Sequence, residues 1–269
     1  MMQSVPVVMA LSGSDPSGGA GIQADIEALA SMGCHCAPVI TALTVQDTHR
    51  VHRFQPVDPE LVLEQARTVL ADMPVAIFKL GMLGTPEMAR AAATLLREHP
   101  HTPVVLDPVV AGGGGGSLGN EPVLEALREL LPLTTVLTPN SPEARLLAPG
   151  CETLDACGAR ILEAGCEYVL VTGTHEESEH VENRLYAHGR RVETFTWERL
   201  PHSYHGSGCT LASSIAGLMA LGLEPFTAVH EAQEYTWDTL QNAYRIGQGQ
   251  HLPNRLFWAR HDDPADSHH

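Results

Sequence analysis

The sequence predicts an α/β fold built on a mostly parallel sheet with helices on both faces. Two observations carry this. Short runs rich in Val, Ile and Leu recur with little polar alternation, as strands buried on both faces require. Amphipathic segments with helix-start signals lie between them, so the chain reads as repeated strand–helix units.

The first run, VPVVMAL, leads through a Gly-rich turn into GIQADIEALASMG, a helix with Gly33 as its C-cap. APVITAL is the second strand. DPELVLEQARTVLADM opens with Asp58 as N-cap and Pro59 in the first turn, and TPEMARAAATLLREH repeats that signal after the strand VAIFKLGM. PVVLDPVV, TTVLTP and EYVLVTG are three further strands, with EPVLEALRELL and ETLDACGARILEAG as helices between them. Residues 184–197, RLYAHGRRVETFTW, alternate polar and apolar and turn at His188-Gly189, which predicts a hairpin at the sheet edge. GSGCTLASSIAGLMALG and PFTAVHEAQEYTWDTLQNAYRIG supply two closing helices. No linker and no internal repeat interrupts this order. The reading is one domain over 1–260, followed by a disordered acidic tail over 261–269. The stretch GGGGGS at 112–117 reads as a mobile loop above the C-terminal edge of the sheet, because five glycines form no packed element.

The bulk numbers narrow the function classes. A length of 269 residues, 43% hydrophobic and 18% charged, fits a globular protein. A formal net charge of −16 argues against nucleic acid or an anionic membrane surface as partner. Lys79 is the only lysine, so an anionic ligand falls to arginine, metal or backbone N–H groups. Six cysteines, at 34, 36, 151, 157, 166 and 209, form no CxxC pair. Cys34-His35-Cys36 is too tight for a usual metal pair and reads as a helix-to-strand turn. MMQSVPVVMALSGSD has no basic leader or cleavage pattern, and no apolar run reaches membrane length. The expectation is a cytoplasmic protein with reduced thiols.

Irregular motifs collect just after the predicted strands. SGSDPSGGAGIQAD, residues 12–25, builds a tight strand-to-helix turn that is neither a Rossmann fingerprint nor a Walker A loop. Gln46, in TALTVQDT, is an amide at a strand end that can read a heteroaromatic edge; a Gln satisfied by loop backbone is the plain alternative. Asp107, in VVLDPV, and Glu143, in TPNSPEA, are carboxylates at two strand ends that could share Mg2+ through water. Taken singly, each reads better as a structural cap. HGSGCTLASSIA places Gly206, Ser207 and Gly208 ahead of Cys209 at a helix start. Free N–H groups and the helix dipole make such a turn an anion site, and the same field lowers a thiol pKa. A flexible turn before a small buried cysteine is the alternative.

In combination these stretches resemble the ribokinase-like superfamily, and within it the hydroxymethylpyrimidine kinase / phosphomethylpyrimidine kinase family of thiamine biosynthesis. The matching segments are LSGSDPSGGAGIQAD, VITALTVQDT, KLGMLG, VVLDPV, LTPNSPEA and HGSGCTLASSIA, in order from residue 11 to about 216. The resemblance implies a three-layer αβα sandwich that moves the γ-phosphoryl of MgATP to a pyrimidine hydroxymethyl group, and a second phosphoryl to the monophosphate. It implies that Cys209 faces the acceptor hydroxyl as base or orienting group, beside an anion hole at Gly206, Ser207 and Gly208. A strongly acidified thiol is a poor base, so only a modest pKa shift is expected. It implies Gln46, Gly13, Asp25, Met82 and Val109 around the pyrimidine, and Asn140, Thr172 and Gly173 on the ATP side. It implies Asp107 and Glu143 near Mg2+, a Gly-rich lid, and a homodimer.

Two departures stand out. Where the family carries VKGGH, this chain reads LVTGTHEE, so Thr172 takes the place of a phosphate-binding Lys and His175 is a possible substitute. Ser203 and Tyr204 precede HGSGC where the family has Asn and Thr, and 174–200 matches weakly throughout. Three other readings remain open. One is a pyridoxine/pyridoxal kinase on the same scaffold, one a non-catalytic ligand-binding regulator derived from it. The third is a cysteine hydrolase using Cys209 with His205.

Overall fold

The computed structural model describes residues 5–112, 116–117 and 121–259. The strands are β1 (Val7–Ser14), β2 (His35–Gln46), β3 (Val51–Pro56), β4 (Val75–Leu80), β5 (Val104–Leu106), β6 (Ala111–Gly112), β7 (Gly116–Ser117), β8 (Val136–Leu137), β9 (Tyr168–Val171), β10 (His180–Ala187) and β11 (Arg190–Glu198). The helices are α1 (Gly21–Ser31), α2 (Pro59–Asp72), α3 (Pro86–Glu98), α4 (Glu121–Arg128), α5 (Ser141–Leu147), α6 (Leu154–Glu163), α7 (Ser207–Ala220) and α8 (Pro225–Gln241).

Nine strands form one sheet in the order β11-β10-β9-β8-β5-β4-β1-β2-β3. The six central strands run parallel, and antiparallel β3 and the β10–β11 hairpin finish the two sides. The two faces follow from the two-residue period of a strand. Val7, Met9, Leu11, Phe78 and Leu80 point into one core, beneath α2–α6. Val8, Ile77, Val105 and Leu170 point into the other, beneath α1, α7 and α8. This is the expected three-layer sandwich.

The two cap signals read from the sequence act as such: Asp58 accepts from the Glu60 N–H and Thr85 from Met88. The structure adds a third, Thr153, which accepts from Ala156. His188 and Gly189 both take positive φ, 52° and 75°, the primed turn that matches strand twist. The structure adds β3, which the sequence reading left out. VHRFQP is half polar and half exposed, with no buried residue, because it closes an edge rather than filling a core. The glycine run behaves differently from a free loop at its ends: Ala111 pairs with Ser117 and Gly112 with Gly116 in a two-rung ladder. The middle of the expected lid at 112–117, residues 113–115, and the tail at 261–269 lie outside the described residues. Among the described residues no helix is long and apolar enough to cross a membrane.

Candidate active site

The C-terminal ends of the parallel strands meet at one cavity of about 390 Å3. At one end it is lined by Gly13 from β1, Gln46 closing β2, Met82 just past β4, and Val109 past β5. Gly13 is needed for close approach, since a Cβ there would lie 3.2 Å from Met82 Sδ. The Gln46 amide faces His205, whose Nε2 also lies 2.8 Å from Asp15 Oδ2. Burial pushes Asp15 up, but hydrogen bonds from His205 and Ser17 outweigh it and hold the carboxyl at about 2.

The opposite wall is the glycine turn. Gly206 takes φ 85°, and α7 starts at Ser207, so Cys209 is the third residue inside the helix rather than its first. The N–H groups of this first turn have no acceptor within the helix and border the cavity. A Cβ on Gly206 would fall on the carbonyl oxygen of Gly19. The two Gly-rich turns therefore touch through backbone alone. Arg255 braces them from behind. Its guanidinium, 1% exposed, donates to Thr210 Oγ1 at 2.9 Å, to Glu27 at 3.0 Å and to the Gly19 carbonyl.

The expected mild tuning of Cys209 is corrected here. Burial pushes its thiol up to about 12, Asp107 and Asp25 add to the rise, and Lys79 opposes it. Desolvation beats the helix dipole, so the group is a neutral thiol that hydrogen-bonds the Asp107 carboxylate. Gly208 brings the turn against that carboxylate: a Cβ would lie 3.7 Å from Asp107 Oδ2. Asp107 is raised to about 6 by burial and Asp25, against the pull of Lys79. Glu143 is raised to about 8, first by burial and then by Asp107. Glu143 is also half of a capping box. Its Oε2 accepts from the Asn140 N–H and Asn140 Oδ1 accepts from the Glu143 N–H, both at 2.9 Å. Glu143 is thus both the cap of α5 and part of the cavity wall.

Two expected site residues lie elsewhere. Asp25 is fully buried behind the cavity wall, ion-paired with Lys79 at 2.7 Å and hydrogen-bonded by Ser213 at 2.6 Å. It holds the lysine that stands behind Asp107 and Cys209 and does not line the cavity. Gly173 turns toward the hairpin: its N–H is taken by Asn183 at 3.0 Å and a Cβ would fall on the Glu182 carbonyl. Asn140, Thr172 and His175 do line the cavity beside Glu143. Among the described residues no lysine or arginine lines it.

Sequence reasoning missed three groups. Lys79 carried a signal, a lone cation within the apolar run VAIFKL. Asp15 sat in a motif read only for its glycines. Arg255 had no signal, since its partners are distant in the chain.

A three-layer sandwich with a glycine anion turn facing paired carboxylates defines a ribokinase-like small-molecule phosphotransferase. The chain belongs to the phosphomethylpyrimidine kinase family, whose pattern matches residues 15–254. It is 38% identical over 260 residues to the hydroxymethylpyrimidine/phosphomethylpyrimidine kinase of Mycobacterium bovis, covering 94% of each chain. It is 34% identical over 277 residues to the thiamine biosynthetic bifunctional enzyme TH1 of Arabidopsis thaliana, and there it spans about half, 53%, of that longer protein. Among solved structures it superposes on an ADP complex of Bacillus subtilis pyridoxal kinase with a TM-score of 0.85 at 28% identity, covering 95% of this chain and 99% of that one. The phosphomethylpyrimidine kinase of Clostridium difficile gives a TM-score of 0.75 at 30% identity, covering 88% and 100%.

Proposed function

We propose that the chain phosphorylates 4-amino-5-hydroxymethyl-2-methylpyrimidine with ATP, and then its monophosphate to the pyrophosphate. The observation that carries this reading is the Gly206–Cys209 turn and Asp107 in one cavity with Gln46, as a hydroxymethyl heteroaromatic and a γ-phosphate require. The hydroxymethyl oxygen attacks Pγ, a new O–P bond forms, and the bond from Pγ to the β–γ bridging oxygen breaks to release ADP. The first-turn N–H groups of α7 take up charge on the transferring group. Cys209, held as a thiol, orients the attacking oxygen and does not remove its proton. In a loose transition state that proton departs late, onto the transferred phosphoryl oxygens and then to solvent.

Asp107 and Glu143 fit a magnesium ion by the chemistry of their donor set: two buried carboxylates whose charges oppose each other want a cation between them and the phosphates. Among the described residues no group of three or more such ligands lies together, which suits an ion that keeps water and phosphate oxygens. Asp107 and Glu143 would hold such an ion, which would supply charge neutralisation to the phosphates. Thr172 and His175 stand on the ATP side without a cation of their own. A cytoplasmic location and a homodimer complete this reading.

The test is purified protein with MgATP and the pyrimidine alcohol, products resolved by mass, beside Cys209→Ala. Pyrophosphate product, with turnover lowered by about 10–100-fold in the variant, is expected. Monophosphate alone would remove the second step. The likeness to pyridoxal kinase supports one rival, and phosphorylation of pyridoxal in place of the pyrimidine would establish it.

A further inference from the structure

The His205 ring nitrogen Nε2 has two neighbours that make opposite demands. Asp15 Oδ2 lies 2.8 Å away and the Gln46 side-chain nitrogen 3.1 Å away. A ring nitrogen is either a donor or an acceptor, and one lone atom cannot accept from an amide N–H2 while donating to a carboxylate. Asp15 decides between them. Its Oδ1 accepts from the Ser17 N–H and its Oδ2 from the Ala20 N–H, both at 2.8 Å, so both oxygens already act as acceptors of an ionised group. Nε2 therefore carries the proton. The ring has no freedom to escape this pairing. The backbone N–H of His205 donates to the His251 carbonyl at 2.9 Å, and the ring itself packs on Gly19, where a Cβ would collide with it.

An imidazole N–H facing a side-chain amide requires oxygen opposite it. The two ends of an amide are interchangeable in shape, and the hydrogen-bond network assigns them. Here the network puts Gln46 Oε1 on His205 and leaves the amide N–H2 for the cavity, which Gln46 lines.

We propose that His205, locked as the Nε2–H form by Asp15, is a positioning residue that fixes the Gln46 amide with its N–H2 toward the ligand, so that the site selects rings offering an acceptor there. This rests on the heteroaromatic-kinase reading above. It adds the ligand's chemistry at one atom. An aromatic ring nitrogen with a free lone pair, or an anionic ring oxygen, is accepted. The same ring carrying N–H at that place is rejected.

Two measurements test it. The first needs no turnover: long-range 15N–1H NMR of the folded protein reads the tautomer of His205. A proton on Nε2 is expected, and an unprotonated Nε2 overturns the proposal. The second compares binding of 4-amino-2-methylpyrimidine with its 4-oxo analogue, whose neighbouring ring nitrogen carries hydrogen, by calorimetry without ATP. The wild type should prefer the amino compound by about tenfold or more, the worth of one well-placed hydrogen bond. His205→Leu should lose most of that preference, and His205→Gln, which keeps an N–H donor at that reach, should restore it. Asp15→Asn should lower it, because its amide can donate to the ring and reverse the chain. A wild-type preference retained in His205→Leu, with the variant folded by its melting temperature, refutes the proposal. Failure to phosphorylate any alcohol would instead count against the kinase reading and leave both measurements intact.

Discussion

Glu143 has two roles that pull its carboxyl in opposite directions. The capping box wants it ionised, because both oxygens accept N–H bonds, whereas burial beside Asp107 wants it neutral. Burial wins, and the pair sits at about 8 and about 6, above the ordinary values of 4.5 and 3.8. Between the unfolded and folded values the native state holds more protons than the unfolded chain, so stability falls as pH rises. In metal-free buffer the melting temperature should decline from about pH 5 to about pH 8.5, and MgADP should flatten that decline. A melting temperature that rises across this window would mean other groups already neutralise the pair. Asp15 carries the opposite sign. Lowered to about 2, its contribution is complete above about pH 4 and is lost only as pH falls through 2, outside that window.

At the scale of elements, the two Gly-rich turns matter more than any helix. They meet through Gly206 and the Gly19 carbonyl, a contact that no side chain can share. Gly206→Ala faces both a positive φ and that collision, so we expect a loss of about 1–3 kcal/mol in unfolding free energy. Turnover should fall by more than stability explains, because the anion turn itself must shift. Equal kcat in the variant would show that the turn's backbone is not what holds the transferring group. The turns were legible in sequence because glycine and serine clustered after apolar runs. So were the caps of α2 and α3, written in Asp58 and Thr85. The edge strand β3 was not, because VHRFQP lacks the apolar run that betrays a buried strand. Asp25 was misplaced for a similar reason: sequence shows a carboxylate near a turn, but whether it faces the ligand or a buried lysine is decided by Lys79, 54 residues away. The thiol of Cys209 was read through the helix dipole, a local effect, and missed the desolvation that only tertiary packing supplies.

For the whole molecule the dominant number is the net charge of −16. A polyanionic nucleotide must approach a polyanionic protein, toward a cavity lined by no described Lys or Arg side chain. Long-range repulsion then slows encounter, and salt screens it over about 8–10 Å at physiological strength. The KM for ATP at fixed free Mg2+ should therefore fall, by about two- to fivefold, as ionic strength rises from about 0.01 to 0.15 M. A KM that instead climbs with salt would reveal a local positive field outweighing the global one.

Arg255 joins two segments far apart in the chain. Gly19 is made 236 residues before the guanidinium that grips its carbonyl. Domains assemble as synthesis proceeds, amino-terminal parts first. The central strands can pair on the ribosome, but the corner between the two Gly-rich turns lacks its brace until the segment carrying Arg255 docks. A nascent chain stalled before Arg255 would be folded in its middle and catalytically silent. Closure of that corner is then tied to the arrival of Arg255 rather than to the pairing of the central strands.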